Sequence, residues 1–271
     1  MKFKPFLDQA KLDLTKFCFG IDCGTAFSRG LEIRPEDFIT FAKADFFKAD
    51  TRGLVNALSN AKRAIDCQAD NFLFAIGLDP QELKKQLGTH GIASVNFGCA
   101  PTDTPLKFRL LRALGVAAPG IIARFRRVRN LLEHEYKKPK RMEVSNAIDI
   151  AELFVQACRG KMQSAFDTIW FGSGKMNSQD EIDFANHFRV LFHATPATYF
   201  EVMYLSADWR TKNPKQSPPE IKIAMQDQGF VPLLKLLWHT DWDNDMTEPS
   251  KAFLAEMGYH LPSRFRARRD L

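Results

Sequence analysis

At 271 residues, with 45% hydrophobic and 26% charged residues, the chain has the composition of an ordinary globular protein, long enough to bury about three quarters of its unfolded surface in one large domain or two modest ones. That excludes disorder, and the five Cys (Cys18, Cys23, Cys67, Cys99 and Cys158) show neither a paired framework nor a C-x-x-C spacing, so they read as reduced thiols. The net charge of +6 is concentrated in "RFRRVR" at 124–129, "KKPKR" at 137–141 and "RFRARR" at 264–269, which favours a polyanionic partner.

The opening "MKFKPFLDQAKLDLTKFC" has no apolar signal core and no A-x-A site, and no later window reaches the roughly eighteen apolar residues of a membrane span. A soluble, unprocessed, cytoplasmic protein is expected. Residues 1–34 have no clean period and are broken at Gly20 and Gly24, so they read as an N-terminal extension packed on the next domain.

From Pro35 the pattern is helical. Phe38, Phe41, Ala42 and Phe46 recur at helical spacing behind a first-turn proline, predicting a helix over about 35–48. Asp50 is a plausible N-cap for a long helix carrying Leu54, Leu58, Ala61 and Ile65 on one face and ending near Gly77. "LDPQELKKQLG" has Asp79 as cap, Pro80 at the first turn and Gly88 as stop, and a loop follows. Two further helices are bounded by Pro105 and Gly115, and by Pro119 and Pro139. Over 142–159 the residues Val144, Ile148, Ala151, Val155 and Cys158 form one stripe, with Gly160 at the C′ position.

After Gly160 the period switches. "SAFDTIWF", "FRVLFHA", "TYFEVMYLS" and "EIKIAMQ" are rich in aromatic and β-branched residues at strand length, "ATPAT" reads as a hairpin connection, and helices are expected at "FVPLLKLLW" and "EPSKAFLAEMG". The expected fold class is mainly α with α+β: an antiparallel helical bundle over 35–160 and a smaller C-terminal α+β part over 161–271 with a short antiparallel sheet.

Within the helix between Pro119 and Pro139 lies "RNLLEHEY". Placing Arg129 at zero on a helical wheel puts Glu133 at about 40°, Arg126 at about 60°, Asn130 at about 100° and His134 at about 140°. Ile121, Phe125, Val128 and Leu132 lie on a different side, so the polar group faces away from its own apolar stripe. The arrangement Arg129-Asn130-Leu131-Leu132-Glu133-His134 resembles the R-x(4–6)-H signature of the HEPN superfamily of helical nucleotide- and RNA-binding domains, in its R-N-x-x-x-H form. The resemblance covers about residues 35–160 and does not extend to 161–271.

The resemblance implies an antiparallel helical bundle, pairing of two copies about a two-fold axis, and metal-independent endoribonuclease activity without a cofactor, in a toxin–antitoxin or antiviral defence setting. The site chemistry can also be argued from the residues. Cleaving RNA through its own 2′-OH needs a proton acceptor, a proton donor to the 5′-oxygen and stabilisation of a phosphorane dianion. His134, with an ordinary pKa of about 6.5, suits either proton role, Arg129 offers a fork of donors matched to phosphate, and Asn130 can orient either. Glu133 stands behind them, able to pair with Arg129 or raise the pKa of a nearby His. One Arg and one His per chain make half an acid–base pair, so a homodimer is expected to complete it.

Arg126, Arg127, Lys137, Lys138 and Arg141 are expected to track the RNA backbone, their alternative being a solvated face and a dipole-complementing helix end. The competing reading of the chain is a non-catalytic RNA- or nucleotide-binding or sensor module, and an antitoxin or other regulatory partner is left open. "GSGK" at 172–175 lacks the remaining Gly and the Ser or Thr of a phosphate loop, His187 and His193 have no third ligand, and "HTDWDNDM" lacks the Gly and Glu of a calcium loop, so no metal site is expected.

Overall fold

The structure is a computed structural model that describes residues 3–22, 24–48, 50–97, 104–116, 137–178, 182–206, 216–240 and 245–269. The chain divides into two compact units, one made of Met1–Ala26, Ile76–Thr102 and Ser164–Leu271, the other of Phe27–Ala75 and Asp103–Gln163. Among the described residues, no helix is long and apolar enough to cross a membrane.

The second unit is helical. Helix α2 (Pro35–Phe47) packs on α3 (Thr51–Ala75), which packs on α5 (Leu106–Ala113) and α6 (Arg141–Gln163). Asp50 caps α3 as its position suggests: its Oδ1 accepts from Gly53 N at 2.5 Å and its carbonyl from Leu54 N at 3.0 Å. Leu54, Leu58, Ala61 and Ile65 of α3, and Val144, Ile148, Ala151, Val155 and Cys158 of α6, are all buried. Each large aliphatic of these stripes gains about 1.5–3 kcal/mol on burial, which is why helical spacing there reports the fold well.

Two local expectations change. Helix α2 buries Ile39 and Ala42 and turns Phe41 outward, where its ring meets Phe38 edge-on at 6.2 Å. Helix α6 does not stop at Gly160 but runs to Gln163, because Met162 continues the buried stripe and its carbonyl accepts from Phe27 N at 2.9 Å.

The first unit is built on a six-stranded sheet of order β7-β6-β5-β4-β1-β8. Its strands are β1 (Phe17–Ile21), β4 (Thr168–Met176), β5 (Ile182–His193), β6 (Tyr199–Ser206), β7 (Glu220–Ala224) and β8 (Arg268–Arg269), while β2 (Gly24–Thr25) and β3 (Ala165–Phe166) form a separate pair. All neighbours in the large sheet are antiparallel except β1 and β8. Among the described residues the unit also contains helices α1 (Phe3–Asp8), α4 (Leu83–Val95), α7 (Phe230–His239) and α8 (Thr247–Glu256).

This overturns the expected fold class. The protein is mixed α+β, with a substantial sheet whose interior includes a strand from the N-terminal segment, rather than a mainly α bundle followed by a short C-terminal sheet. Residues 17–19 belong to the core: Phe17, Cys18 and Phe19 are wholly buried, and Phe17 pairs with Ser173 while Ile21 pairs with Ile169. A strand covered on both sides reads as a continuous apolar run without alternation, and one of five residues leaves no period to detect.

One sheet face carries the core. Phe171 lies 5.5 Å from Phe188 and 5.3 Å from Phe253 of α8, and Phe6 of α1 lies 5.7 Å from Phe188. Along β5, Phe188, Val190 and Phe192 are buried while His187, Arg189, Leu191 and His193 are half-buried, the period-two signature of a sheet with one fully covered face.

Glycines mark the stops. Gly77, Gly88 and Gly115 all have positive φ (77°, 59° and 69°), as expected after helices. At Gly88 the chain turns within Leu83–Val95 and resumes a helix, where the sequence predicts a loop. Upstream, Asp79 Oδ1 accepts from Gln81 N at 2.8 Å and Gln86 Oε1 accepts from Asp79 N at 2.9 Å, so Asp79 forms a turn ahead of the helix rather than its cap, and Glu82 holds the N-cap position before the helix begins at Leu83.

Candidate functional site

The sequence motif Arg129, Asn130, Glu133 and His134, with the adjoining Arg126 and Arg127, lies outside the described residues. Lys137 and Lys138 are exposed, Pro139 is buried, and Lys140 and Arg141 are again exposed as α6 begins. Lys140 N donates to Glu143 Oε2 at 2.9 Å and Lys140 O accepts from Val144 N at 3.1 Å, so Glu143 reaches back to tie down the first turn.

Arg141 has a local role as well. Its guanidinium lies 4.2 Å from the centre of the Phe46 ring and donates to the Phe46 carbonyl at 3.5 Å, at the last turn of α2, where carbonyls lack helical partners and a cation is favoured. A second basic tie joins α5 to α3: Lys107 Nζ lies 3.0 Å from Asp66 and 2.9 Å from Asp70. Burial works to lower the Lys107 pKa, but the two carboxylates overcome it and hold the ammonium above its ordinary value.

The helical unit also contains a basic cavity that the motif search does not reach. Arg29, Arg34 and Arg159 line a space of about 350 Å³ together with Gln68, Asn71 and Met162. The three arginines come from the segment before α2 and from the last turns of α6, 130 positions apart at the extremes (29 and 159), so no local spacing could announce them. Gln68 is 2% exposed, and Asn71 Oδ1 is buried without a hydrogen-bond partner.

In the sheet unit the two histidines of β5 lie on the half-buried face. His187 packs between Trp170 at 5.2 Å and Phe184 at 4.8 Å, and burial pushes its pKa down to about 4. His193 stacks on Tyr199 at 4.4 Å, with Glu201 at 3.7 Å. Among the described residues no group of three or more His, Cys, Asp or Glu is placed to hold a metal ion.

"GSGK" lies within β4, where the register shifts between Ser173 and Gly174. A Cβ on Gly172 would stand 2.2 Å from the Asn186 carbonyl oxygen, so close backbone approach explains this glycine. The Cys18 thiol donates to the Lys16 carbonyl at 3.6 Å and that of Cys67 to the Ile33 carbonyl at 3.8 Å, and burial pushes the Cys158 thiol up to about 12, leaving it chemically inert at neutral pH.

Comparison of the whole chain with protein families, curated proteins and solved structures finds no match.

The motif is a sequence constellation at one helical spacing, whereas the arginine cavity is assembled by tertiary packing of α2, α3 and α6. For the cavity, the only advance signal was an arginine-bearing segment, "FSRGLEIRPE", that shows no period of its own.

Proposed function

We propose that the protein is a metal-independent endoribonuclease of HEPN type that cleaves single-stranded RNA at a composite site formed by two copies of the chain. The observation that carries the reading is the spacing Arg129-Asn130-x-x-x-His134, with the polar residues on one arc of a helical wheel and the basic residues 137–141 directly after it. The exposure of Lys137 and Lys138 supports a route for a phosphate backbone toward the motif.

In this reading His134 of one copy removes the proton from the 2′-OH, whose oxygen attacks phosphorus. The bond from phosphorus to the 5′-oxygen breaks, and His134 of the second copy protonates that oxygen, leaving a 2′,3′-cyclic phosphate and a 5′-OH. Arg129 stabilises the phosphorane charge and Asn130 orients the phosphate or the imidazole. Arg126, Arg127, Lys137, Lys138 and Arg141 guide the strand, and Glu133 pairs with Arg129 from behind. A cytoplasmic toxin or antiviral defence protein, held in check by a partner, is the setting this chemistry suits.

Labelled RNA incubated with purified protein in EDTA tests the reading. Cleavage is expected, falling by about 10²–10⁴-fold in His134→Ala, with a similar loss in Arg129→Ala. Variants that cut as well as the parent would refute the site, and RNA binding without cleavage under any condition would favour the non-catalytic module. Light scattering that finds a strict monomer with full activity would refute the composite site.

A further inference from the structure

We propose that the cavity lined by Arg29, Arg34 and Arg159 binds a small phosphomonoester whose body carries N–H or O–H donors. The proposal does not depend on the ribonuclease reading, since Arg29, Arg34, Gln68, Asn71 and Arg159, from which it is argued, are not residues of that motif.

The rim supplies the anion chemistry. The Arg29 guanidinium sits over the Phe74 ring, its Cζ 4.0 Å from the ring centre, and makes no hydrogen bond among the described residues. Arg34 and Arg159 are largely exposed and each makes one long ion pair, with Asp37 and Glu36 respectively, at 3.6 Å. Three guanidiniums thus line the cavity with donors to spare beyond these pairs, and among the described residues Glu36 is the one carboxylate that lines it. Planar forks in that number match a dianionic phosphate better than a monoanionic carboxylate.

The floor supplies the demand for donors. Gln68 is 2% exposed, and among the described residues its side chain makes one hydrogen bond, the weak contact of Nε2 with Met162 Sδ at 3.5 Å. Asn71 Oδ1 is buried with no partner among the described residues. Native interiors satisfy nearly all buried polar atoms, so two under-used amides at the bottom of one cavity mark where a ligand's donors would sit. A space of about 350 Å³ falls in the range that takes one small molecule and exceeds what an inorganic anion fills.

Isothermal titration of the full chain with ribose 5-phosphate, AMP, ribose, adenosine and inorganic phosphate tests this. At least one phosphorylated compound is expected to bind at least about tenfold tighter than inorganic phosphate, with ribose and adenosine silent. A preference for AMP would identify a nucleotide and a preference for ribose 5-phosphate a sugar phosphate, each supporting the site. Arg29→Gln and Arg159→Gln should each weaken binding about 10- to 100-fold, and Glu36→Gln should tighten it by removing the competing carboxylate. Asn71→Leu should weaken binding without lowering the melting temperature, whereas an amide with a merely structural role would lose stability. Failure of both phosphomonoesters to bind at millimolar concentration, inorganic phosphate binding as tightly as they do, or unchanged binding in folded Arg29→Gln would each overturn the proposal.

Discussion

Acidification from about pH 7.5 to about pH 4.5 protonates an exposed histidine, whose ordinary pKa is about 6.5, but His187 resists it. Its ring lies between Trp170 and Phe184, its Nδ1 is buried with no hydrogen-bond partner, and burial pushes its pKa down to about 4. A proton there would create an unpaired charged donor between two aromatic rings. The unfolded chain therefore takes up a proton near pH 6.5 that the folded chain refuses until about pH 4. Stability is complete above the unfolded value, declines as the pH falls, and stops declining on this account below the folded one.

A gap of about 2.5 units sets a ceiling of about 3 kcal/mol, and partial solvent contact reduces the expected loss at pH 4.5 to about 2 kcal/mol. Urea unfolding at stepped pH, run on the parent and on His187→Phe, isolates this contribution. The carboxylates of Asp8, Asp13, Asp37 and Asp245, whose side-chain or backbone hydrogen bonds lower their pKa values, are common to both proteins and cancel in the difference. Parallel loss of stability in the two proteins, or an NMR titration of His187 near 6.5, would refute the reasoning.

Gly77→Ala should destabilise the sheet unit by about 2–4 kcal/mol, since its φ of 77° disfavours a side chain and a Cβ would stand 2.0 Å from Thr198 Oγ1 and 2.3 Å from the Ala194 carbonyl oxygen. Adding Thr198→Ala should rescue little, because the backbone clash persists; full recovery in a denaturant melt would contradict this. Lys107→Met should cost about 1–2 kcal/mol after allowance for solvent screening, because it leaves Asp66 and Asp70 facing each other one helical turn apart without their shared cation. Raising the salt concentration should narrow that difference between parent and variant, and an unchanged gap would argue against an electrostatic origin.

The helices of the second unit could be read from sequence because each presents a long stripe to its neighbours. The residues from Leu54 to Ile65 and from Val144 to Cys158 repeat often enough for the period to stand out, and Asp50 and Gly77 delimit α3 by local chemistry. Strand β1 was not legible, because "FCFGI" is five residues long and owes its conformation to β4, paired from the other end of the chain. The arginine cavity was hidden for a related reason. Arg29 and Arg159 meet only after α3 and α6 have packed, and a charge with no periodic neighbours looks like any solvated surface residue.

The placement of β1 bears on how the chain can be made and divided. Phe17 and Phe19 are apolar surface awaiting a partner until β4 exists, and closing a loop of about 150 residues costs about 4 kcal/mol of chain entropy before any pairing repays it. During synthesis that segment is an unpaired strand, open to chaperones or to strand exchange with another chain. A fragment ending after α6 carries the same exposed strand, whereas one that begins at Phe27 leaves it behind. The helical unit's two segments, Phe27–Ala75 and Asp103–Gln163, flank Ile76–Thr102 of the sheet unit, so a cut at Phe27 and Gln163 would carry part of the sheet unit away with the helices.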